Sequence, residues 1–251
     1  MLSNAIGIDV GGTGIKAAIV DIRTGELLTE RLRVETPAGG EPNDIAAACN
    51  GLIEQLAAPS NLTVGLCFPA VVTHGITRSA ANVSDAWIGL KAEELFTKAL
   101  GRKTHVLNDA DAAGVAEMKF GAGRKAKGVT IMTTLGTGIG SALFLNKKLV
   151  PSTELGHLDI GEIRDFEQYA SFAQMEAGGL SFEQWAERLE IFYAHLERLF
   201  SPDLFIVGGG ISKSHESFLP LITTNAPIVP ATTRNAAGII GAAAMAAKVL
   251  K

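Results

Sequence analysis

The sequence predicts an α/β fold of duplicated architecture, with two lobes around a central cleft. A chain of 251 residues can form one large α/β domain or two lobes, since single cores stop growing near roughly 250 residues. Short apolar segments typical of strands alternate with amphipathic segments of helical spacing. One turn, Gly-Thr-Gly-Ile between apolar segments, occurs at 12–15 and again at 136–139, and the matching context favours duplication.

The elements follow from local patterns. In the first half, a hairpin, two helices and two further strands are predicted over residues 5–10, 17–21, 44–57, 63–68, 92–100 and 104–107. In the second half, helices and a strand are predicted over residues 110–120, 182–200, 204–207 and 235–250. No Pro- or Ser-rich linker divides the chain, so any two lobes must be joined by helices or short crossovers. We expect residues 1–107 with 235–251 to form a small lobe and residues 108–234 a large lobe.

Composition excludes several classes of protein. The formal net charge of -4 argues against nucleic-acid or membrane-surface binding, which needs a strongly basic face. Two cysteines, neither in a CxxC pair, exclude a disulfide framework and a Cys-rich zinc knuckle. Met1 runs almost directly into an apolar strand without the basic residues of a secretory leader, and no apolar run approaches the roughly 20 residues of a membrane span. A cytoplasmic protein is expected.

The first glycine-rich turn has the residues of a phosphate-binding nest. Asp9 ends the preceding strand, and the turn and the start of the next strand contribute Gly11, Gly12, Thr13, Gly14 and Lys16. Backbone N–H groups of such turns bind anions, a hydroxyl and a cation add to this, and Asp9 is placed to hold Mg²⁺ through water. A hairpin that needs glycines at positive φ and binds nothing explains this turn alone equally well.

The second turn repeats this chemistry without the carboxylate. Its donor-binding candidates are Thr134, Gly136, Thr137 and Gly138. Two clamps on one phosphate chain provide positioning, which dominates phosphoryl transfer. Neither copy is GxxxxGK[ST], nor GxGxxG between a strand and a helix, so P-loop and Rossmann interpretations are not supported.

Asn108 and Asp109 follow a predicted strand, where active-site groups collect in open α/β sheets. Phosphoryl transfer to an alcohol uses a carboxylate that accepts the hydroxyl proton, and Asp109 is the candidate base. The alternative is that one of the two residues simply caps the helix that starts at residue 110.

Further polar and glycine residues are candidates for ligand binding. Glu154 and His157, three residues apart, are placed to contact adjacent sugar hydroxyls, and Asn82 is a similar candidate; a structural histidine and a turn asparagine are the alternatives. Gly209 and Gly210 follow a buried strand and would admit a ligand close to the backbone, although a plain strand-to-helix turn explains them nearly as well.

Together these motifs resemble the sugar kinases of the actin-like superfamily, and within it the ROK family. The likeness covers essentially the whole chain and is strongest to the polyphosphate glucokinase subgroup, on the segments 79–82, 108–114, 201–210 and 227–231. It implies the duplicated actin-like (ribonuclease H-like) fold, a homodimer, Asp109 as base, and hexose binding by Asn82, Asn108, Glu154 and His157. A second sugar-binding carboxylate is implied after His157, and Glu167 is the best match, although residues 161–166 depart from the family pattern.

The resemblance also implies the cofactors and the reaction. Most family members carry a zinc-binding Cys cluster after the sugar motif, and its absence predicts that His157 binds sugar without zinc. We expect a magnesium-dependent glucokinase that uses polyphosphate, ATP or both, with mannose as a further acceptor. Residues 172–179 lack the basic residues expected for polyphosphate, so a strictly ATP-dependent kinase for another hexose stays open, as does a non-catalytic sugar sensor.

Overall fold

The computed structural model describes residues 3–80 and 83–250. The chain divides into two compact units, the first built from Met1–Ala116 and Ala236–Lys251 and the second from Glu117–Asn235. In the described part of the chain, no helix combines the length and the apolar character needed to cross a membrane.

The two units contain strands and α-helices in alternation. In chain order the strands are β1 (Asn4–Val10), β2 (Ile15–Asp21), β3 (Leu32–Val34), β4 (Val64–Phe68), β5 (Val72–Thr73), β6 (Ile76–Thr77), β7 (Thr104–Asn108), β8 (Val129–Leu135), β9 (Ile139–Leu145), β10 (Lys148–Val150), β11 (Leu204–Gly208) and β12 (Ile228–Pro230). The α-helices are α1 (Pro42–Gln55), α2 (Ala92–Leu100), α3 (Asp109–Phe120), α4 (Glu167–Ala170), α5 (Phe172–Ala177), α6 (Phe182–Phe200) and α7 (Ala237–Val249).

The main sheet of the first unit has the strand order β3-β2-β1-β4-β7. The strands β1, β2 and β3 pair antiparallel, whereas β4 pairs parallel with both β1 and β7. Parallel neighbours need crossover connections, and α1 and α2 lie in the two that this sheet requires. The predicted hairpin of β1 and β2 is confirmed.

The sheet of the second unit repeats this arrangement. Its order is β10-β9-β8-β11-β12, again with three antiparallel strands followed by parallel pairs. The two glycine-rich turns occupy equivalent places, one between β1 and β2 and the other between β8 and β9. The predicted duplication is therefore confirmed.

The helix α7 lies against the first sheet at backbone contact distance. A Cβ atom on Gly7 would lie 2.1 Å from the carbonyl oxygen of Ile239, and one on Gly65 would lie 1.9 Å from that of Ala242. The opposite face of the sheet carries the main core of the unit, packed against α1 and α2. Residues on alternate positions of β1 thus face different neighbours.

The core of the second unit is rich in aromatic rings. The long helix α6 begins and ends where the periodicity predicts, and Ser181 and Gln184 form a capping box at its start. Its fully buried side chains Trp185, Phe192 and Tyr193 pack toward β8 and β11. The indole of Trp185 donates to the carbonyl oxygen of Ala170, which satisfies its buried N–H.

The first passage between the units lies within α3, at Ala116–Glu117, and not after Leu107 as expected. The reason is packing, because the first half of α3 is covered by α7. A Cβ atom on Gly241 would lie 1.7 Å from the carbonyl oxygen of Ala112, and Ala112 shares a buried cluster with Cys67. The shift makes the first unit the longer of the two, contrary to the expected small lobe.

Glu117 joins α3 to the segment before α7 inside the second unit. Its fully buried carboxylate accepts five hydrogen bonds: from the N–H of Ala122 at 2.7 Å, and from both the N–H and the hydroxyl of Thr232 and of Thr233. The backbone N–H groups of this loop are not paired in a helix or sheet. The Glu117 carboxylate supplies the acceptors that they need.

Candidate active site

Strand register places Asp9 between two polar partners in the first unit. Asp9 lies opposite Lys16 on β2 and opposite Cys67 on β4. The ammonium of Lys16 lies 3.3 Å from Asp9 Oδ2, and the thiol of Cys67 donates to Oδ1 at 3.4 Å. Burial, together with the charges of Asp9 and Asp109, raises the pKa of the Cys67 thiol well above its usual range, so it stays protonated and remains a donor.

The first glycine-rich turn presents its tip to solvent. The N–H of Gly11 donates to the carbonyl oxygen of Gly14 at 3.1 Å, while Gly12 and Thr13 are exposed. None of the three glycines is among the residues with positive φ in the described ranges, so the interpretation of a turn that needs left-handed glycines is wrong. The guanidinium of Arg33 lies directly over Gly14, and a Cβ atom there would lie 2.8 Å from it.

Asn108 and Asp109 stand at the junction of β7 and α3. The amide oxygen of Asn108 accepts from the N–H groups of Ala110 and Asp111 at 2.8 and 3.1 Å, and its Nδ2 donates to Ala70 at 3.2 Å. Asn108 is therefore the helix cap. Its predicted contact with sugar would have to use the remaining amide N–H.

Asp109 is not needed as the cap, although its Oδ1 accepts from Ala110 at 2.8 Å. Its side chain is accessible to solvent, yet protein atoms crowd around the carboxylate and deprive it of much of its hydration. This desolvation, with a smaller effect of the Asp9 charge, raises the pKa of Asp109 to about 6. Such a carboxylate is ionised at neutral pH and accepts a proton more readily than an ordinary aspartate.

The second turn is one residue shorter than the first and has a carboxylate where the first has a guanidinium. The N–H of Gly136 donates to Gly138 at 3.0 Å, Thr137 is exposed at the tip, and Thr134 is half-buried at the end of β8. A Cβ atom on Gly138 would lie 2.3 Å from Glu167 Oε2, which accepts from the N–H of Ile139 at 2.9 Å. Glu167 therefore lies directly against this turn.

Gly209 and Gly210 lie at the same end of the second sheet. Gly208, the last residue of β11, pairs with Thr134. Gly209 has φ +87°, and a Cβ atom there would lie 2.2 Å from the carbonyl oxygen of Leu135, so only glycine fits. The structure thus brings this segment beside the second turn.

His157 lies close to Glu167 and also to Asp165, a residue that the sequence reasoning missed. His157 Nδ1 lies 2.7 Å from Asp165 Oδ1 and 3.9 Å from Glu167 Oε1. The hydrogen bond that His157 donates to Asp165, assisted by the charge of Glu167, raises the pKa of His157. Asp165 has φ +48° and lies within the segment that departs from the family pattern, so no motif pointed to it.

Glu154 precedes the short turn Leu155–His157, which packs on β9. A Cβ atom on Gly156 would lie 2.1 Å from the carbonyl oxygen of Ile139, and Ser141 Oγ accepts from the N–H of Leu155 at 2.9 Å. The Glu-Leu-Gly-His spacing is thus explained by close packing at the glycine. Asn82, the remaining predicted sugar ligand, lies outside the described residues.

A nitrogen of His157 and carboxylate oxygens of Asp165 and Glu167 are close enough together to bind one cation. Ligand atoms of His157, Asp165 and Glu167 all lie within 4.8 Å of one another. Direct coordination by this set would use the imidazole nitrogen that now contacts Asp165. The expectation that the site works without zinc stays a prediction.

Comparisons with known proteins show what this chain is similar to. The chain is 41% identical over 241 residues to the polyphosphate glucokinase of Mycobacterium tuberculosis, with 96% of this chain and 90% of that protein covered. The crystal structure of the inorganic polyphosphate/ATP-glucomannokinase from Arthrobacter sp. strain KM matches with a TM-score of 0.92 and 47% identity over 98% of this chain and 99% of that one.

A ROK family glucokinase from Streptomyces griseus, solved in complex with glucose and AMPPNP, matches with a TM-score of 0.80 and 26% identity over 98% of this chain and 99% of that one. These matches confirm the actin-like fold expected from the motifs. The family model of the ROK family matches residues 5–169. Since that match spans both glycine-rich turns, the cap at Asn108 and the Glu154–His157 segment, this chain belongs to the ROK family.

Proposed function

We propose that this protein is a glucokinase that transfers a phosphoryl group from polyphosphate, ATP or both to the 6-hydroxyl of glucose. The observation that carries the proposal is the likeness, over nearly the whole of both chains, to a polyphosphate glucokinase and a polyphosphate/ATP-glucomannokinase. Because the second of these relatives is a glucomannokinase, mannose is a further acceptor in this proposal. The enzyme is a phosphotransferase with an alcohol acceptor.

In the first unit, Asp109 acts as the general base. It accepts the proton of the sugar hydroxyl as the oxygen bonds to the terminal phosphorus and the bond from that phosphorus to the rest of the donor breaks. Its raised pKa of about 6 and its position at the solvent-accessible start of α3 support this role. Asn108 acts mainly by fixing the start of that helix.

In each unit, the glycine-rich turn is a proposed site for donor phosphate. The N–H groups at the exposed tips, the hydroxyls of Thr13 and Thr137, and the ammonium of Lys16 suit phosphate oxygens. The second unit also offers five further residues for binding donor phosphate: Thr134, Gly136, Gly138, Gly209 and Gly210. The glycines let phosphate approach the backbone closely.

Magnesium is the proposed metal cofactor. The two carboxylate oxygens of Asp9 already contact Lys16 and Cys67, so Asp9 fits an ion held through water better than direct coordination. Bound magnesium would neutralise the developing charge on the donor phosphates. Asp9 would orient the water shell of that ion.

The proposed sugar ligands are Glu154, His157 and Glu167 in the second unit, and Asn82 and the remaining amide N–H of Asn108 in the first. Asp165 belongs to this set as the group that orients His157, because its hydrogen bond fixes which ring nitrogen faces away from it. We further propose a cytoplasmic homodimer that feeds glucose into glycolysis.

Donor and acceptor use are tested together with purified protein. We expect hexose 6-phosphate from glucose and Mg²⁺ with long-chain polyphosphate as well as with ATP. Transfer from ATP alone would leave an ATP-dependent kinase, and transfer only to another hexose in a sugar panel would replace glucose as the acceptor. Sugar binding without transfer from either donor would leave a sensor and refute the proposal.

The pH dependence reports on the base. Because Asp109 acts only as the carboxylate and its pKa is raised to about 6, log kcat/KM should fall with unit slope below about pH 6 and be flat just above it. The profile is measured with ATP and with polyphosphate at constant ionic strength. A fall in rate that is due to Asp109 must occur at the same pH with both donors, whereas one that is due to protonation of the donor need not. A limb near the ordinary aspartate pKa with both donors would contradict the role of the desolvated carboxylate.

A further inference from the structure

A row of charged side chains crosses the first sheet beside its glycine-rich turn. Lys16 lies opposite Asp9 on one side and opposite Arg33 of β3 on the other. Residues directly opposite each other in antiparallel strands point to the same face. The row therefore runs Asp9, Lys16, Arg33 on one face, toward the edge of the sheet.

Arg33 is held against the turn itself. Its Nη2 donates to the carbonyl oxygen of Thr13 at 3.0 Å, and its guanidinium lies over Gly14, where a Cβ atom would come within 2.8 Å of Nε and Nη2. The side chain is nonetheless exposed. The contact with Thr13 engages one of the five N–H donors of a guanidinium.

The charge of Arg33 is not balanced within the described residues. Lys16 forms an ion pair with Asp9, but no ion pair of Arg33 with a carboxylate occurs across residues 3–80 and 83–250. Two cations directly opposite each other on adjacent strands are unfavourable. An anion bound beside the turn would relieve that repulsion.

The second turn has a residue of opposite charge at the place that corresponds to Arg33. There the residue over the second glycine of the turn is Glu167, which lies against Gly138 and caps the N–H of Ile139. A carboxylate would repel phosphate, whereas a guanidinium binds it with paired N–H donors. The residue over the last glycine therefore differs in charge between the two turns, and only the first turn has a cation there to attract an anion.

We propose that Arg33 is a ligand for the phosphate chain of the donor, which it binds together with Lys16 and the backbone of residues 11–14. The inference rests on the proposed function and adds a binding residue to it. The contact to Thr13 sets the plane of the guanidinium, and the remaining N–H groups bind phosphate oxygens.

The test replaces Arg33 with glutamine, which keeps a polar N–H group on the side chain but carries no charge. In Arg33→Gln, the KM for ATP and for polyphosphate should rise about 10- to 100-fold, as expected for loss of charged hydrogen bonds, while the KM for glucose changes less than about twofold. Arg33→Lys should restore part of the donor affinity. Lys98→Gln, an equal loss of charge on the exposed face of α2, is the matched control and should leave all three KM values unchanged.

A role of Arg33 in bracing the turn alone predicts different results. Arg33→Gln would then keep the donor KM within about twofold, or would raise the KM for glucose equally, and either result overturns the proposal. Calorimetric binding of inorganic tripolyphosphate gives a readout that needs no turnover. The wild-type affinity should fall more steeply with NaCl than that of Arg33→Gln, because a screened ionic contact has been removed.

The same measurement separates this inference from the proposed function. If the wild-type protein transfers no phosphoryl group to any hexose but binds tripolyphosphate through Arg33, the function fails and the binding residue stands. If transfer occurs and Arg33→Gln binds tripolyphosphate as well as the wild type does, the function stands and the inference fails.

Discussion

Replacing Asp109 with asparagine should lower kcat by roughly 10²- to 10⁴-fold, the range expected when a general base is removed, and leave the affinity for glucose within a few-fold. Asparagine keeps the shape and an oxygen that can accept the 2.8 Å hydrogen bond from Ala110, but it cannot take up the hydroxyl proton. Initial rates with saturating donor and glucose binding by calorimetry measure the two effects separately.

Asp44→Asn is the matched control for this variant. Asp44 is likewise an exposed acid in the first turn of a helix, but it lies on α1, which carries none of the proposed site residues, so its replacement should leave kcat unchanged. Asp109→Asn should also unfold at no lower temperature than the wild type at pH 7.5, since a carboxylate with a raised pKa is destabilising when ionised. Full retention of kcat in a folded Asp109→Asn protein would remove Asp109 as the base.

Replacing Glu117 with alanine should lower the free energy of unfolding by roughly 3 to 5 kcal/mol, because it removes the buried acceptor of the N–H groups of Ala122, Thr232 and Thr233. Five hydrogen bonds depend on this single carboxylate. Urea unfolding followed by far-UV circular dichroism gives the value. Such a loss would consume a large part of the stability of an ordinary domain.

Two further variants make the Glu117 result interpretable. Glu187→Ala removes an exposed glutamate from α6 and should change the free energy by less than about 0.5 kcal/mol. Glu117→Gln keeps one acceptor oxygen and should be less harmful than alanine. A Glu117→Ala protein as stable as Glu187→Ala would show that water replaces the carboxylate and that the cluster is not a stabilising centre.

The sequence predicted the helices α2 and α6 and the two glycine-rich turns, because each of these features is formed by residues that are close together in the chain. The helix α6 has a clear amphipathic period and a capping box, and α2 ends at Gly101, whose φ of +61° a glycine adopts easily. The two turns were found for the same reason, since each is a short run of glycine and threonine between apolar strands.

Features created by strand register could not be predicted in this way. Cys67 and Arg33 reach Asp9 and the first turn only because β4 and β3 pair with β1 and β2 in one particular register, and a shift of one residue would place them on the other face. The boundary within α3 likewise depends on α7, which is distant in sequence. Asp165 has the same origin, because only the folded loop brings it to His157.

The close packing of α7 on the first sheet has a consequence for synthesis on the ribosome. Gly7 and Gly65 have no side chains at the contact, so the backbone of α7 itself covers β1 and β4, and these strands emerge long before that helix. The whole second unit is translated in between. We therefore expect the second unit to fold first during translation, while the earlier half of the chain waits with one sheet face uncovered and dependent on chaperones.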